Sequence, residues 1–193
     1  VSRGLGQGEL LEVAPARRLI VPAGHSAWWG VDPGVRRVAL ATIDAEGRRG
    51  VSNVPFPTLE GGERLRLIYE ESWRLGCEIA RLLAPGVIVC EQPSGKQPNP
   101  ALSYAVGVIM CGVYSGARAA THAGVRLETV ASSRWKSVAC GDGALWKPKP
   151  GSAKPYGVLT WARGVGYAGS SFDDADAMGV AEYARRTFAL EQR

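Results

Sequence analysis

Residues 87 to 90 read VIVC, four apolar residues with no alternation, and the run stops at a carboxylate, Glu91. A strand with one wet face alternates apolar and polar residues. A strand without alternation is covered on both sides, which calls for helices above and below a partly parallel sheet. Segments of helical period flank this run. Upstream, Leu65, Ile68, Ser72, Leu75, Ile79 and Leu82 step by three and four, predicting one long helix closed by Pro85-Gly86. Downstream, Gln97 to Ala117 carries no charge and predicts a helix over 101–123. Two prolines, Asn99, Ser103, Ser115 and three glycines leave too short an apolar core there for a membrane span, so it reads as a buried helix.

The remaining segments complete an α/β pattern. AWWGVD at 27–32 predicts a short buried strand with Pro33-Gly34 as a turn, and VRRVALATID with RRGVSNVPF predicts a hairpin about Glu46-Gly47. VRLETV at 125–130 predicts another strand. ASSRWKSVA offers a serine cap and a short helix, CGDGALWKPKPGS a long loop, AKPYGVLTWAR a second short helix, and 173–190 the last one. The order implies a five-stranded mixed sheet, begun by three antiparallel strands, continued by parallel ones and flanked by helices. Residues 1–26, rich in Gly, Arg and Pro without a sustained period, read as an N-terminal extension or arm. Residues 27–193 read as one domain, and 193 residues at 46% apolar and 21% charged suit a single globular unit.

Composition narrows the chemistry. Cys77, Cys90, Cys111 and Cys140 are far apart and form no CxxC, which fits a reducing, cytoplasmic setting. His25 and His122 lie near neither another His nor a Cys, so ligand spacing does not support zinc. No stretch reads as a secretion signal. The net charge is +5, and between 134 and 154 five basic residues, Arg134, Lys136, Lys147, Lys149 and Lys154, stand against Asp142 alone. That concentration suits a polyanionic partner whose binding weakens with salt. Trp135 and Trp146, interleaved with these cations, could stack on bases or fill the core. Lys96, Arg36 and Arg37 are further candidates for phosphate contact.

Two strands predicted to be parallel neighbours each end in an acid, Asp32 after WWGV and Glu91 after VIVC, and the carboxyl ends of such strands are where ligands bind. On the last helix Asp173 and Asp176 share a face with Ala177, Val180 and Ala184, while Asp174 is turned away by about 100°. Capping needs one carboxylate, not three. Packed against the sheet, that face would set Asp173 and Asp176 beside Asp32 and Glu91. Four acids so close repel unless cations neutralise them, and an oxygen-only set suits Mg²⁺ or Mn²⁺. Two such ions would cleave a phosphodiester, one activating water and the other stabilising the leaving oxygen.

GVDPG at 30–34, VIVCEQP at 87–93 and DDADAMGVA at 173–181, in this order, resemble the three acidic motifs of RuvC-family Holliday junction resolvases in the ribonuclease H-like superfamily, phage-encoded members above all. The resemblance runs over residues 28–190. It implies a ribonuclease H-like fold, with Asp32, Glu91, Asp173 and Asp176 as ligands of two Mg²⁺ or Mn²⁺ ions. RWKSVACG and GSAKPYGVLTWAR are similar to the family segment in which lysines face DNA. That puts Lys136 and Lys154 at the catalytic site, with Lys147 and Lys149 as alternatives to Lys154 at the scissile phosphate. Extra residues near Asp142 to Pro150 interrupt this segment. The family's cellular members place an aromatic after Glu91, where this loop reads PSGKQPNP.

The implied activity is paired, symmetrical nicking of four-way DNA junctions by a homodimer in a bacterial or phage-infected cell. Ala101, Ala105, Val108, Gly112 and Gly116 make a stripe of small residues that could form the two-fold interface or pack on its own sheet. Two other readings belong beside this one: a ribonuclease H-like nuclease for other branched DNA or RNA–DNA hybrids, and a junction-binding protein without catalysis. An actin-like ATPase would need two such domains and a second glycine-rich phosphate turn.

Overall fold

The computed structural model describes residues 27–56, 61–93, 100–122, 124–142 and 156–189. Strands β1 (Ala27–Pro33), β2 (Arg37–Ile43) and β3 (Arg49–Pro55) form an antiparallel meander, and β4 (Pro85–Glu91) and β5 (Arg126–Val130) extend it in parallel. The sheet order is β3-β2-β1-β4-β5, so β1 lies at the centre. This is the mixed α/β sheet the sequence predicts. Its unalternating strands are buried on both faces. Trp28, Val87 and Val89 face one hydrophobic cluster, and Trp29, Val31, Ile88 and Cys90 face the other.

Helices α1 (Gly61–Leu82) and α2 (Pro100–Thr121) cover one face. Leu65 and Leu82, at the ends of the predicted α1 stripe, are 36% and 41% exposed, whereas Gly76 and Cys77 are buried. The reason lies in α2. A Cβ on Gly112 would stand 2.8 Å from the Tyr69 carbonyl oxygen, and one on Gly116 would stand 2.1 Å from that of Trp73. Gly112 and Gly116 of the small-residue stripe therefore seat α1 of the same chain, because only glycine lets the two backbones come so close. By length and composition α2 could cross a membrane, yet Ala105, Ile109, Val113 and Ala117 are buried in the core. Pro85 does not close α1. It already pairs with Ala27 as the first residue of β4.

The other face carries α5 (Phe172–Phe188), backed by α3 (Ser132–Cys140) and α4 (Gly157–Gly164). Gly30 sets the depth of α5: a Cβ there would meet Ala181 N at 2.2 Å and Ala177 O at 2.3 Å, so the helix lies directly on the central strand. Sequence reading gave α5 one buried face, but every residue from Ala175 to Ala184 is buried because α3 and α4 cover its outer side. Ser132 is not the expected cap. Ala131 holds that position without a side-chain bond, and Ser132 is the first helical residue, 4% exposed.

Candidate active site

Register brings the two strand acids together. Val31 pairs with Cys90, so the next residues along, Asp32 and Glu91, end neighbouring parallel strands side by side. Alternation puts Asp32 on the same face as Gly30, and Glu91 on the same face as Val89, which is the face α5 covers. Asp176 reaches the same region from the start of α5 and is 3% exposed.

Tyr156, immediately before α4, reports on all three. Its ring is 2% exposed, and its hydroxyl donates to Asp176 Oδ1 at 2.5 Å. Burial, and then the charges of Asp176, Glu91 and Asp32, hold its pKa well above the ordinary phenol value. The phenol thus remains a donor. Glu91 is pushed above the usual carboxylate range, first by burial and then by Asp176, against the opposing pull of Ser132, Lys136 and Trp135. Its Oε2 is buried without a hydrogen-bond partner in good geometry. The Cys90 thiol is likewise raised, by burial and by the charges of Asp32 and Glu91. Such a concentration of like charge at strand ends is characteristic of functional sites.

Lys136 is expected on a DNA-facing surface, but it is only 4% exposed, with Nζ 5.2 Å from the Trp135 ring centre and 5.9 Å from that of Tyr156. Its charge acts on Glu91 instead. A helix start packed on α5 turns this side chain inward, and the same packing buries Trp135 completely. Trp135 fills the core and does not stack on bases. Arg134 is exposed. Lys96, Lys147, Lys149, Lys154 and Trp146 lie outside the described residues.

The acids at the start of α5 divide by role. Asp174 accepts from Asn53 Nδ2 at 2.7 Å through Oδ1 and from the Tyr167 hydroxyl at 2.8 Å through Oδ2, tying α5 to β3. Ser171 caps the helix by accepting from the Asp174 backbone N–H at 3.2 Å, so capping does not explain the carboxylates. Asp173 sits at the margin, 3.6 Å from Arg37 Nε.

Among the described residues, no three His, Cys, Asp or Glu side chains stand close enough to hold one metal ion between them. The donor set itself fits a hard divalent cation. It is all oxygen, two members repel across a buried space, and one of its oxygens lacks a partner. Sequence reasoning missed Tyr156 and the Ser132 hydroxyl beside Glu91, since neither lies in an acidic motif.

A β3-β2-β1-β4-β5 sheet with acids at the ends of β1 and β4 and on the last helix has the ribonuclease H-like architecture. Among solved structures, the chain is similar to Thermus thermophilus RuvC at 20% identity with a TM-score of 0.59, covering 86% of this chain and 96% of that one. The T. thermophilus RuvC complex with Holliday junction substrate gives the same values. The yeast mitochondrial Holliday junction resolvase Ydc2 is similar at 16% identity with a TM-score of 0.50, over 90% of this chain and 82% of that one. No family model matches the chain, and comparison with curated proteins finds no match. At these identities the likeness establishes the fold, which is the one RuvC Holliday junction resolvases share.

Proposed function

We propose that this protein is a divalent-metal-dependent endonuclease that resolves four-way DNA junctions by paired, symmetrical nicks, acting as a homodimer in the cytoplasm of a bacterial or phage-infected cell. The observation that carries the proposal is the side-by-side placement of Asp32 and Glu91 at the carboxyl ends of β1 and β4, with buried Asp176 of the helix that covers that face held by the Tyr156 hydroxyl. Support comes also from the fold shared with RuvC, one of whose structures holds a Holliday junction substrate.

Asp32, Glu91 and Asp176, with Asp173 from the margin, would hold two Mg²⁺ or Mn²⁺ ions. Bound there, the ions would supply an activated water and stabilise the leaving oxygen. Buried Lys136 offsets part of the carboxylate charge. Exposed Arg134, with the basic residues of 147–154, would take DNA phosphates and make affinity fall steeply with salt. Two sites at a fixed separation, one from each subunit, would give nicks related by symmetry.

Both strands of a synthetic four-way junction, run on a denaturing gel with and without Mg²⁺, test this reading. Metal-dependent nicks at symmetrical positions are the expected result. Cleavage of matched flaps or RNA–DNA hybrids in preference to the junction would indicate a different ribonuclease H-like nuclease. Tight binding without nicking would indicate a junction-binding protein.

A further inference from the structure

The last helix carries two tyrosine–aspartate hydrogen bonds of similar chemistry in different surroundings. Tyr167 donates to Asp174, which Asn53 also holds, on the side of α5 that meets β3. Tyr156 donates to Asp176, which lies among the other carboxylates. The first bond fastens a helix to a sheet. The second restrains a group that the proposed reaction needs.

Two contacts and near-complete burial hold Tyr156 firmly. It is the residue before α4, with φ −76° and ψ 116°, and its carbonyl accepts from the Thr160 backbone N–H at 3.0 Å. Its ring packs edge-on against Phe172 at 5.1 Å between centroids. Almost none of its surface is exposed, so the ring cannot swing to another partner without opening the core. Asp176, by contrast, has a terminal torsion that is intrinsically broad and a like charge nearby to push it aside. A rigid donor therefore holds Asp176 Oδ1 in a fixed place. Partners of this kind orient metal ligands in many proteins, and losing one lowers metal affinity by about 10- to 100-fold.

We infer that Tyr156 is a positioning residue of the metal centre: its buried hydroxyl fixes the carboxylate of Asp176 and with it the geometry offered to the ion. The inference rests on the metal-dependent reading above and adds a residue outside the acidic motifs.

Calorimetric titration of the full chain with Mn²⁺, without DNA, tests it in Tyr156→Phe and Tyr167→Phe. Both changes keep the ring and remove one hydroxyl. Mn²⁺ affinity is expected to fall about 10-fold or more in Tyr156→Phe and to stay at the wild-type value in Tyr167→Phe. Unchanged affinity in Tyr156→Phe, or equal weakening in both variants, overturns the inference. Wild-type protein that binds no Mn²⁺ overturns the metal-dependent reading itself, and this inference with it. Should Tyr156→Phe fail to fold, 3-fluorotyrosine placed at position 156 alone gives a second measurement. Its fluorine resonance should broaden on adding Mn²⁺ to the otherwise wild-type protein and remain sharp with Asp176→Asn, whereas a sharp resonance in both counts against the inference.

Discussion

The two ends of α5 bury acidic side chains in opposite ways. Toward the C-terminal end, Glu182 is 2% exposed and accepts from Arg185 at 2.6 and 3.0 Å, from Arg186 at 2.7 Å and from Arg49 at 3.3 Å. Burial alone would raise its pKa, but the hydrogen bonds from Arg185 and Arg186 prevail and lower it. Toward the N-terminal end, Asp176 meets Glu91 beside Asp32, Glu91 is raised, and its Oε2 lacks a partner. One end supplies its own countercharge. At the other, burial and then Asp176 raise the pKa of Glu91, and they prevail over Lys136, which lowers it. Burying a carboxylate is costly unless something neutralises it, and at the N-terminal end that is the part the proposed metal ions would play.

The sharpest contrast is in catalysis. If the proposed metal site is right, Asp176→Asn or Asp32→Asn removes an ionic ligand and should lower junction cleavage by roughly a thousandfold or more, since metal assistance is worth several kcal/mol. Junction affinity in a gel-shift assay should stay nearly unchanged, because in the proposed reading cations and not these acids would contact phosphate. Glu182→Gln should do the reverse, costing about 2 kcal/mol in a denaturant melt while leaving cleavage near the wild-type rate. Full cleavage by either aspartate variant, or its loss in Glu182→Gln, would erase the distinction between the two ends.

A smaller effect comes from the strand beneath. In Gly30→Ala the new methyl meets backbone atoms of Ala177 and Ala181, which cannot rotate away, so α5 must lift from β1. Overpacking of this kind costs about 1–3 kcal/mol. Ala177 directly follows Asp176, so the shift should also separate that carboxylate from Asp32 and cut cleavage more than about tenfold. A variant that loses stability but cleaves normally would mean that the spacing between β1 and α5 does not control the site.

Local patterns carried most of the architecture and the acidic motifs. The unalternating VIVC, the hairpin about Glu46-Gly47 and the three- and four-residue steps of α1 each depend on neighbours in the chain, and each forms as expected. What sequence left hidden involves contacts between distant segments. Tyr156 and Asp176 are 20 residues apart with no period to link them. The inward turn of Lys136 depends on α3 lying against α5, and charge counting cannot distinguish a buried lysine from a solvated one. The glycines of α2 announced a close approach, but not that α1 makes it.

The smallest expected effect is titration, where the two ends of α5 should pull in opposite directions. Because the folded-state pKa of Glu91 lies above the ordinary glutamate value of 4.5, the folded protein holds an extra proton between those values. Stability of the metal-free protein should therefore fall as pH rises through that window. Glu182 is lowered, so its contribution is present above its unfolded-state value and is lost as pH falls through its lower folded-state value. On acidification from neutral pH, the metal-free melting temperature should first rise and then drop below about pH 4.5. Glu91→Gln should remove the rise and keep the drop, and Glu182→Gln should keep the rise and weaken the drop. Mg²⁺ should flatten the rise as well, because a cation among the carboxylates competes with the proton for the same charge. A rise that persists in Glu91→Gln would move its source away from the carboxyl end of β4, and the contrast between the two ends would lose its electrostatic basis.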